Sequence, residues 1–391
     1  FQYYSNFMRN HPVMDKNIRD DTQISRLLKY NIKEEDINLF LRAWNQMNNT
    51  KECIYVGYDS TNFNTNAYGI ELADYGHPKV DEGLPQYNLA YAVNQKDSTP
   101  LFYELYDGSV IDNTELEIML EEAKEFGYER LGVLMDRGYI SEKNIKALRS
   151  KGYEYILMMK QNQKICQEII EEYGAAVQSL EGYYIGEHGV YGTTVKKQLY
   201  GQEANIHVYY DDIRASEEKI ALMSRYETWE KEIEKKVAKK IATEGEMKKY
   251  RKVFKLKYDQ NGYLVAYQRN SRYIKEEIRN LGFFFIITSE DMSASKALDI
   301  YRGRDNIEKM FRSLKSGIDF NKARVHTTES LKSKVFVTFI AMIIRNELFQ
   351  KAEVLRKKNR KAYTVPGMIS ELENIECTRN SVGKYRRKYA L

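Results

Sequence analysis

The sequence predicts an α/β protein with a mixed sheet, interrupted by a β-rich insertion that carries a long charged helix. Strand-like and helical segments alternate between Cys53 and Met159, the alternation breaks over residues 161–281, and an apolar strand-like run resumes at Gly282. Such alternation is the pattern of helices laid on a sheet, with mixed strand directions where hairpins and crossovers coexist.

Each element has its own signal. Residues 1–50 read as short helices, with Lys33 to Met47 the clearest amphipathic piece. Cys53 to Asp59 is a strand ending in Asp-Ser-Thr-Asn, followed by a loop punctuated by Gly76, Pro78, Asp81, Gly83 and Pro85. Tyr87 to Asn94 and Leu101 to Tyr106 pair across a Lys-Asp-Ser-Thr-Pro turn. Thr114 with Glu117 gives a capping-box signal for a helix to about Phe126. Leu131 to Met135 is a short buried strand that delivers Asp136, Ser141 opens another helix, and Tyr153 to Met159 is a further strand. Within residues 161–281, strand-like pieces (Gly182 to Gly186, Thr193 to Tyr200, Ile206 to Tyr210, Tyr263 to Gln268) flank a charged stretch, Glu217 to Lys257. Ile220, Met223, Trp229, Ile233, Val237 and Ile241 recur there at helical spacing, which argues for a long exposed helix. The strand Gly282 to Ser289 returns to the core, Ser293 caps a helix of about 23 residues, and a second helix is apolar from Val335 to Ile344. The expected division is 1–50, a helical N-terminal segment; 51–160 and 282–350, two parts of one core; 161–281, the insertion; and 351–391, a basic tail.

The 391 residues include 61 Lys and Arg against 56 Asp and Glu, a net charge of +5, and 42% are hydrophobic. That apolar content fills a core and excludes a disordered chain. A mean hydropathy of −0.63 and the absence of any long apolar run exclude a transmembrane helix, so no membrane partner is expected. Cys53, Cys166 and Cys377 lie far apart, which argues against a zinc site or disulfide framework and for a reducing cytoplasm. No signal peptide is visible, and the start at Phe1 suggests a fragment. The charge is uneven. Residues 351–391 hold 11 basic and 4 acidic residues, a net of +7, so the rest of the chain sums to −2. Tyr363, Tyr385 and Tyr389 are interleaved with the cations, which suits a nucleic-acid backbone as well as a solvated terminus.

Three acids stand out by position. Asp59 and Asp136 end strands, and Glu308 lies mid-helix after the insertion. Neighbouring strands sit roughly 5 Å apart, so carboxylates at their ends converge, and oxygen donors of this kind hold Mg²⁺ or Mn²⁺. Alone this is weak: Asp107, Asp112 and Asp291 have comparable positions, and strand-end Asp residues commonly form turns. The helix is more informative. Tyr301, Arg304, Glu308 and Lys315 fall at offsets 0, 3, 7 and 14, within an arc of about 60° at roughly 100° per residue. Ile300, Ile307, Phe311, Leu314 and Ile318 form the adjoining apolar stripe. A carboxylate flanked by two cations and a phenol suits metal and phosphate binding. An exposed face stabilised by an Arg304–Glu308 pair at i, i+4 accounts for the same spacing.

The run from Tyr301 to Lys315 resembles the signature of bacterial insertion-sequence DDE transposases: Tyr, two residues, Arg, three residues, Glu, six residues, Lys. Other segments resemble the same family in the same order: Asp59-Ser60-Thr61, Gly76-His77-Pro78-Lys79 with Leu84-Pro85-Gln86, Asp136-Arg137-Gly138-Tyr139, and the strand Phe283 to Thr288. The resemblance spans roughly Glu52 to Gln350. It implies a ribonuclease-H-like fold, with helices on both faces of its sheet, interrupted before the glutamate. Asp59, Asp136 and Glu308 would be the catalytic and metal-binding triad, with two Mg²⁺ or Mn²⁺ ions per site. Tyr301, Arg304 and Lys315 would contact DNA. The implied partners are double-stranded transposon ends with inverted repeats, target DNA, and a second copy of the chain in the DNA complex. The implied reaction is hydrolysis at the element's ends followed by attack of the freed 3′-hydroxyl on target DNA, in a bacterial cytoplasm. A metal-dependent nuclease without strand transfer, and a non-catalytic DNA-binding remnant, are the alternatives. A tyrosine-recombinase role for Tyr301 is disfavoured, because that chemistry needs clustered Arg and His donors and the five His are scattered.

Overall fold

The computed structural model describes residues 3–11, 20–49, 53–76, 83–110, 112–179, 181–239, 245–318, 320, 322–359, 364–379 and 385–387. The chain forms two compact units, Phe1–Ile156 with Ile300–Leu391, and Leu157–Asp299.

The first unit begins with three helices, α1 (Tyr4–Asn10), α2 (Asp21–Arg26) and α3 (Glu34–Asn48). Acidic residues Glu34, Glu35 and Asp36 fill the first turn of α3, where they complement the helix dipole. Ile37, Leu41 and Asn45 form its buried face at i, i+4 spacing. The buried Asn45 amide is satisfied: it donates to the Leu41 and Leu101 carbonyls and accepts from the Tyr128 hydroxyl. Then come β1 (Ile54–Asn64), β2 (Gln86–Asn94), β3 (Pro100–Asp107), α4 (Asp112–Glu125), β4 (Leu131–Met135), α5 (Glu142–Ser150) and β5 (Glu154–Met158). The strand order is β3-β2-β1-β4-β5. The first three strands form an antiparallel meander, whereas β4 is parallel to β1. β4 is buried along its whole length and β2 up to its last residue, which explains their near-continuous apolar character. The fold class is the expected α/β fold with a mixed sheet. Of the capping pair expected at the start of α4, the Thr114 side chain lies outside the described residues, and Glu117 pairs with Lys143 at 3.3 Å.

The second unit contains α6 (Lys164–Ser179), β6 (Tyr184–Ile185), β7 (Val190–Leu199), β8 (Gln202–Tyr210), α7 (Asp212–Lys239), β9 (Phe254–Tyr258), β10 (Leu264–Arg269), α8 (Ser271–Arg279) and β11 (Phe283–Thr288). β11 pairs antiparallel with β8, in the order β11-β8-β7-β6. The long helix α7 packs through Leu222, Tyr226 and Ile233 on Tyr250, Val253, Phe254 and Leu264. Ile220 is instead exposed, and Ile241 lies outside the described residues.

The chain then gives α9 (Ala294–Arg302), α10 (Asp305–Arg312), a π-helical turn over Ser313–Gly317, α11 (Thr328–Asn359), α12 (Val365–Glu373) and a hairpin of β12 (Cys377–Arg379) with β13 (Tyr385–Arg387). Ser293 caps α9 as expected, its hydroxyl accepting from the Lys296 amide. The single helix of about 23 residues is not found, because it breaks at Gly303. Lys384, Lys388, Arg360 and Lys361 of the basic tail lie outside the described residues. Among the described residues, no helix is long and apolar enough to cross a membrane.

Candidate active site

Asp59 is not at the end of its strand, since β1 continues to Asn64. It stands instead beyond the parallel part of the sheet. The β1–β4 ladder pairs Ile54 with Leu131 and ends at Gly57 with Leu134, whereas on the other side Asp59 still pairs with Tyr91 of β2. Extending the parallel register two places sets Asp59 against Asp136, the residue after β4. Strand geometry therefore brings these acids side by side. The Asp136 loop is fixed locally. Its carboxylate accepts from the Arg137 amide at 2.5 Å, and its carbonyl accepts from the Tyr139 amide at 3.1 Å. The Tyr139 ring packs edge-on against buried Tyr58, centroids 6.0 Å apart, which ties this loop to β1 next to Asp59.

Glu308 arrives on α10. Ile307, Met310 and Phe311 are buried, with Ile307 lying over Gly57 and Phe311 edge-on to Tyr91. That packing leaves Glu308 facing outward, its side chain 51% exposed. The break before α10 has a cause distant in sequence. A Cβ on Gly303 would stand 2.1 Å from Gln95 Nε2, and Asn306 Nδ2 donates to the Gln95 carbonyl at 2.9 Å. The loop after β2 occupies the place where a continuous helix would carry side chains, so the chain turns through i, i−3 hydrogen bonds at Gly303 and Arg304.

Arg304 sits at the centre of the cluster. Its guanidinium donates to Glu308 Oε1 at 2.5 Å and lies 3.9 Å from Asp59 Oδ2, with only 14% of the side chain exposed. The i, i+4 pair expected of a simple surface helix is thus present, but the same arginine also reaches an acid on the sheet. Burial works against its charge, yet Tyr301, Asp136, Asp59 and Glu308 together raise its pKa above the ordinary guanidinium value. Buried Tyr301 stands in the same field. Burial pushes its phenol up to about 12; Arg304 and Arg137 oppose that rise, while Asp136 and Glu308 add to it. The phenol is therefore a proton donor at neutral pH. Lys315, in the π-helical turn, donates to Thr61 Oγ1 at 2.7 Å and lies over the Phe63 ring. Asp59, Thr61 and Phe63 alternate along one face of β1, so Lys315 meets the face that carries Asp59.

Three carboxylates from three separate segments thus surround one guanidinium. Their hard oxygen donors match Mg²⁺ or Mn²⁺ in chemistry. Among the described residues no three His, Cys, Asp or Glu side chains stand close enough to share one ion, and Arg304 occupies the space between Asp59 and Glu308. Gln95 and Asn306 hold this arrangement and had no role from sequence, and Thr61, noted there only beside Asp59, is the partner of Lys315. Two of the competing acids have other roles: Asp107 closes a turn onto Ser109, and Asp291 pairs with Lys196 at 3.2 Å, while the side chain of Asp112 lies outside the described residues.

A sequence profile of the family described as "Transposase DDE domain" matches residues 56–344. No curated protein matches the chain. Among solved structures, the chain is similar to the piggyBac transposase in its synaptic complex with hairpin DNA, at 9% identity and a TM-score of 0.43. The match covers 91% of this chain and 59% of that one. It is also similar to the Mos1 transposase in a paired-end complex with the left transposon end, at 15% identity and a TM-score of 0.20, over 39% of this chain and 49% of that one. The Drosophila P element transposase in its strand transfer complex matches at 12% identity and a TM-score of 0.18, over 90% of this chain and 89% of that one. The chain therefore spans less than two thirds of the piggyBac and Mos1 chains.

Proposed function

Because the chain belongs to the transposase DDE-domain family, we propose that it is a DNA transposase, cutting phosphodiester bonds at the ends of a mobile element and joining the freed 3′-hydroxyl to target DNA. The observation that carries this reading is the gathering of Asp59, Asp136 and Glu308 around Arg304, with Tyr301 and Lys315 beside them. In this proposal the three carboxylates hold Mg²⁺ or Mn²⁺. When bound, such ions supply Lewis acidity and a water of lowered pKa. Arg304 and Lys315 hold the phosphates flanking the cut bond, and the protonated Tyr301 phenol donates to a phosphate oxygen. Burial of Tyr301 and Arg304 preorganises both groups, so little ordering is left for the reacting complex. Two copies acting on two ends are part of the proposal.

The test is cleavage and strand transfer on a duplex carrying the element's ends, with Mg²⁺ present or chelated. Chelation, Asp59→Asn, Asp136→Asn and Glu308→Gln are each expected to lower cleavage by at least about 100-fold. Full activity in any one of these variants would remove that residue from the triad.

A further inference from the structure

A second basic surface lies in the first unit, and none of the roles above uses it. A cleft of about 780 Å³ runs between the β2–β3 loop, α10, α11 and the start of α12. Lys96, Lys309, Arg312, Arg345 and Arg356 line it against a single acid, Glu353, and that acid pairs with Arg356. Lys96, Lys309, Arg312 and Arg345 make no ion pair among the described residues. Arg345 is half-buried, its guanidinium lying against Gly317, where a Cβ would come within 2.8 Å of Cζ. A cation drawn partly out of water without an anion is costly, and gathering four of them adds mutual repulsion.

The walls are built in advance. Asn346 Nδ2 and Gln350 Nε2 both donate to the Asp97 carbonyl, at 3.2 and 2.6 Å, which fastens the β2–β3 loop to α11. Trp44 Nε1 donates to the Pro100 carbonyl at 2.7 Å, fastening the other side of that loop. On α10, Arg312 lies one turn from Glu308 and about 40° around the helix, and Lys309 lies about 100° around it. Asn306, which also lines the cleft, lies about 160° around α10 from Glu308, so the cleft opens across the outward face of the helix and comes next to the acid cluster at Arg312. One phosphate would answer only one or two of these cations, whereas a row of phosphates answers all of them.

We propose that this cleft binds the phosphodiester backbone of duplex DNA running on from the catalytic acids. The proposal rests on the DNA-cutting reading above. Fluorescence anisotropy of a labelled DNA duplex, titrated with the whole chain over a salt series, tests it. Lys309→Gln with Arg345→Gln is expected to weaken binding and to flatten the plot of log K against log salt by about 0.9 per lost contact. Cleavage at saturating DNA holds in this variant while KM rises. Lys96→Gln with Arg312→Gln alters exposed or loop side chains only and gives a second reading if the first variant melts early. Duplex binding by the wild type with an unchanged slope in both variants would overturn the cleft and leave the function standing. No duplex binding by the wild type at any salt would overturn both. Tighter binding of a matched RNA duplex, lost in the variants, would overturn the assignment to DNA.

Discussion

In the second unit, α7 carries Glu230, Glu232 and Glu234, and each has its own partner: Arg269, Lys249 and the Tyr267 hydroxyl. In the first unit, Asp59 and Glu308 share one guanidinium, while Lys309, Arg312 and Arg345 find no anion among the described residues. Both units are rich in charge, and both hold cations with no ion pair among the described residues, Lys219, Lys255 and Lys275 in the second, whereas in the first, acids from the sheet and from α10 share one largely buried guanidinium. Pairwise matching is what a surface needs to stay folded and soluble. Crowded acids and unanswered cations oppose folding and make sense when a ligand supplies the missing charges. The sharing of one guanidinium by acids from two segments, more than the number of charges, marks out the first unit.

The sharpest way to break this comparison is through the acids. Asp59→Asn, Asp136→Asn and Glu308→Gln should cost at least about 100-fold in cleavage while the melting temperature holds, since each removes repulsion as well as attraction. A parallel loss of stability would mean the cluster serves the fold. The converse effect lies in the second unit. His207 is buried between Thr194 and Thr288, hydrogen-bonded at 2.8 and 3.0 Å, and burial holds its pKa at about 4, below the ordinary 6.5, despite opposition from Asp291. The folded state therefore favours the neutral ring. Its contribution is complete above pH 6.5 and is lost as pH falls towards 4, by roughly 3 kcal/mol in total. Thermal unfolding between pH 7 and 4 should show that slope, and His207→Gln should flatten it.

Gly303→Ala comes next. Its methyl group collides with Gln95, so a loss of about 1–3 kcal/mol is expected, together with reduced cleavage. Adding Gln95→Ala should restore both, measured by denaturant unfolding and turnover. The smallest effect is on α7, where Arg269→Ala breaks a surface pair and should cost at most about 1 kcal/mol without touching cleavage.

What the sequence revealed follows the range of the forces involved. Asp136 after a short buried strand, the Ser141 and Ser293 caps, and the grouping of Tyr301, Arg304 and Glu308 are local or periodic signals, and they were legible. The break at Gly303 was not, because its cause is a glutamine more than 200 residues earlier. The extension of β1 past Asp59 is set by pairing with β2, which the Asp-Ser-Thr-Asn turn signal masked. α6 and α8 were not legible: α8 is only nine residues long, and Gly174 weakens the helical signal of Lys164–Ser179. The basic cleft draws on four elements, so no window of sequence contains it.

The separation of the acids along the chain also sets an order in time. Asp59 and Asp136 emerge early in synthesis, whereas Arg304 and Glu308 follow only after the whole second unit has been made. The 172 residues from Asp136 to Glu308 take roughly 10–35 s at ordinary rates of translation. For that interval the strands that carry the first two acids can pair, but the cluster around Arg304 has no centre. The cluster around Arg304 is therefore assembled only once the chain has been made as far as Glu308.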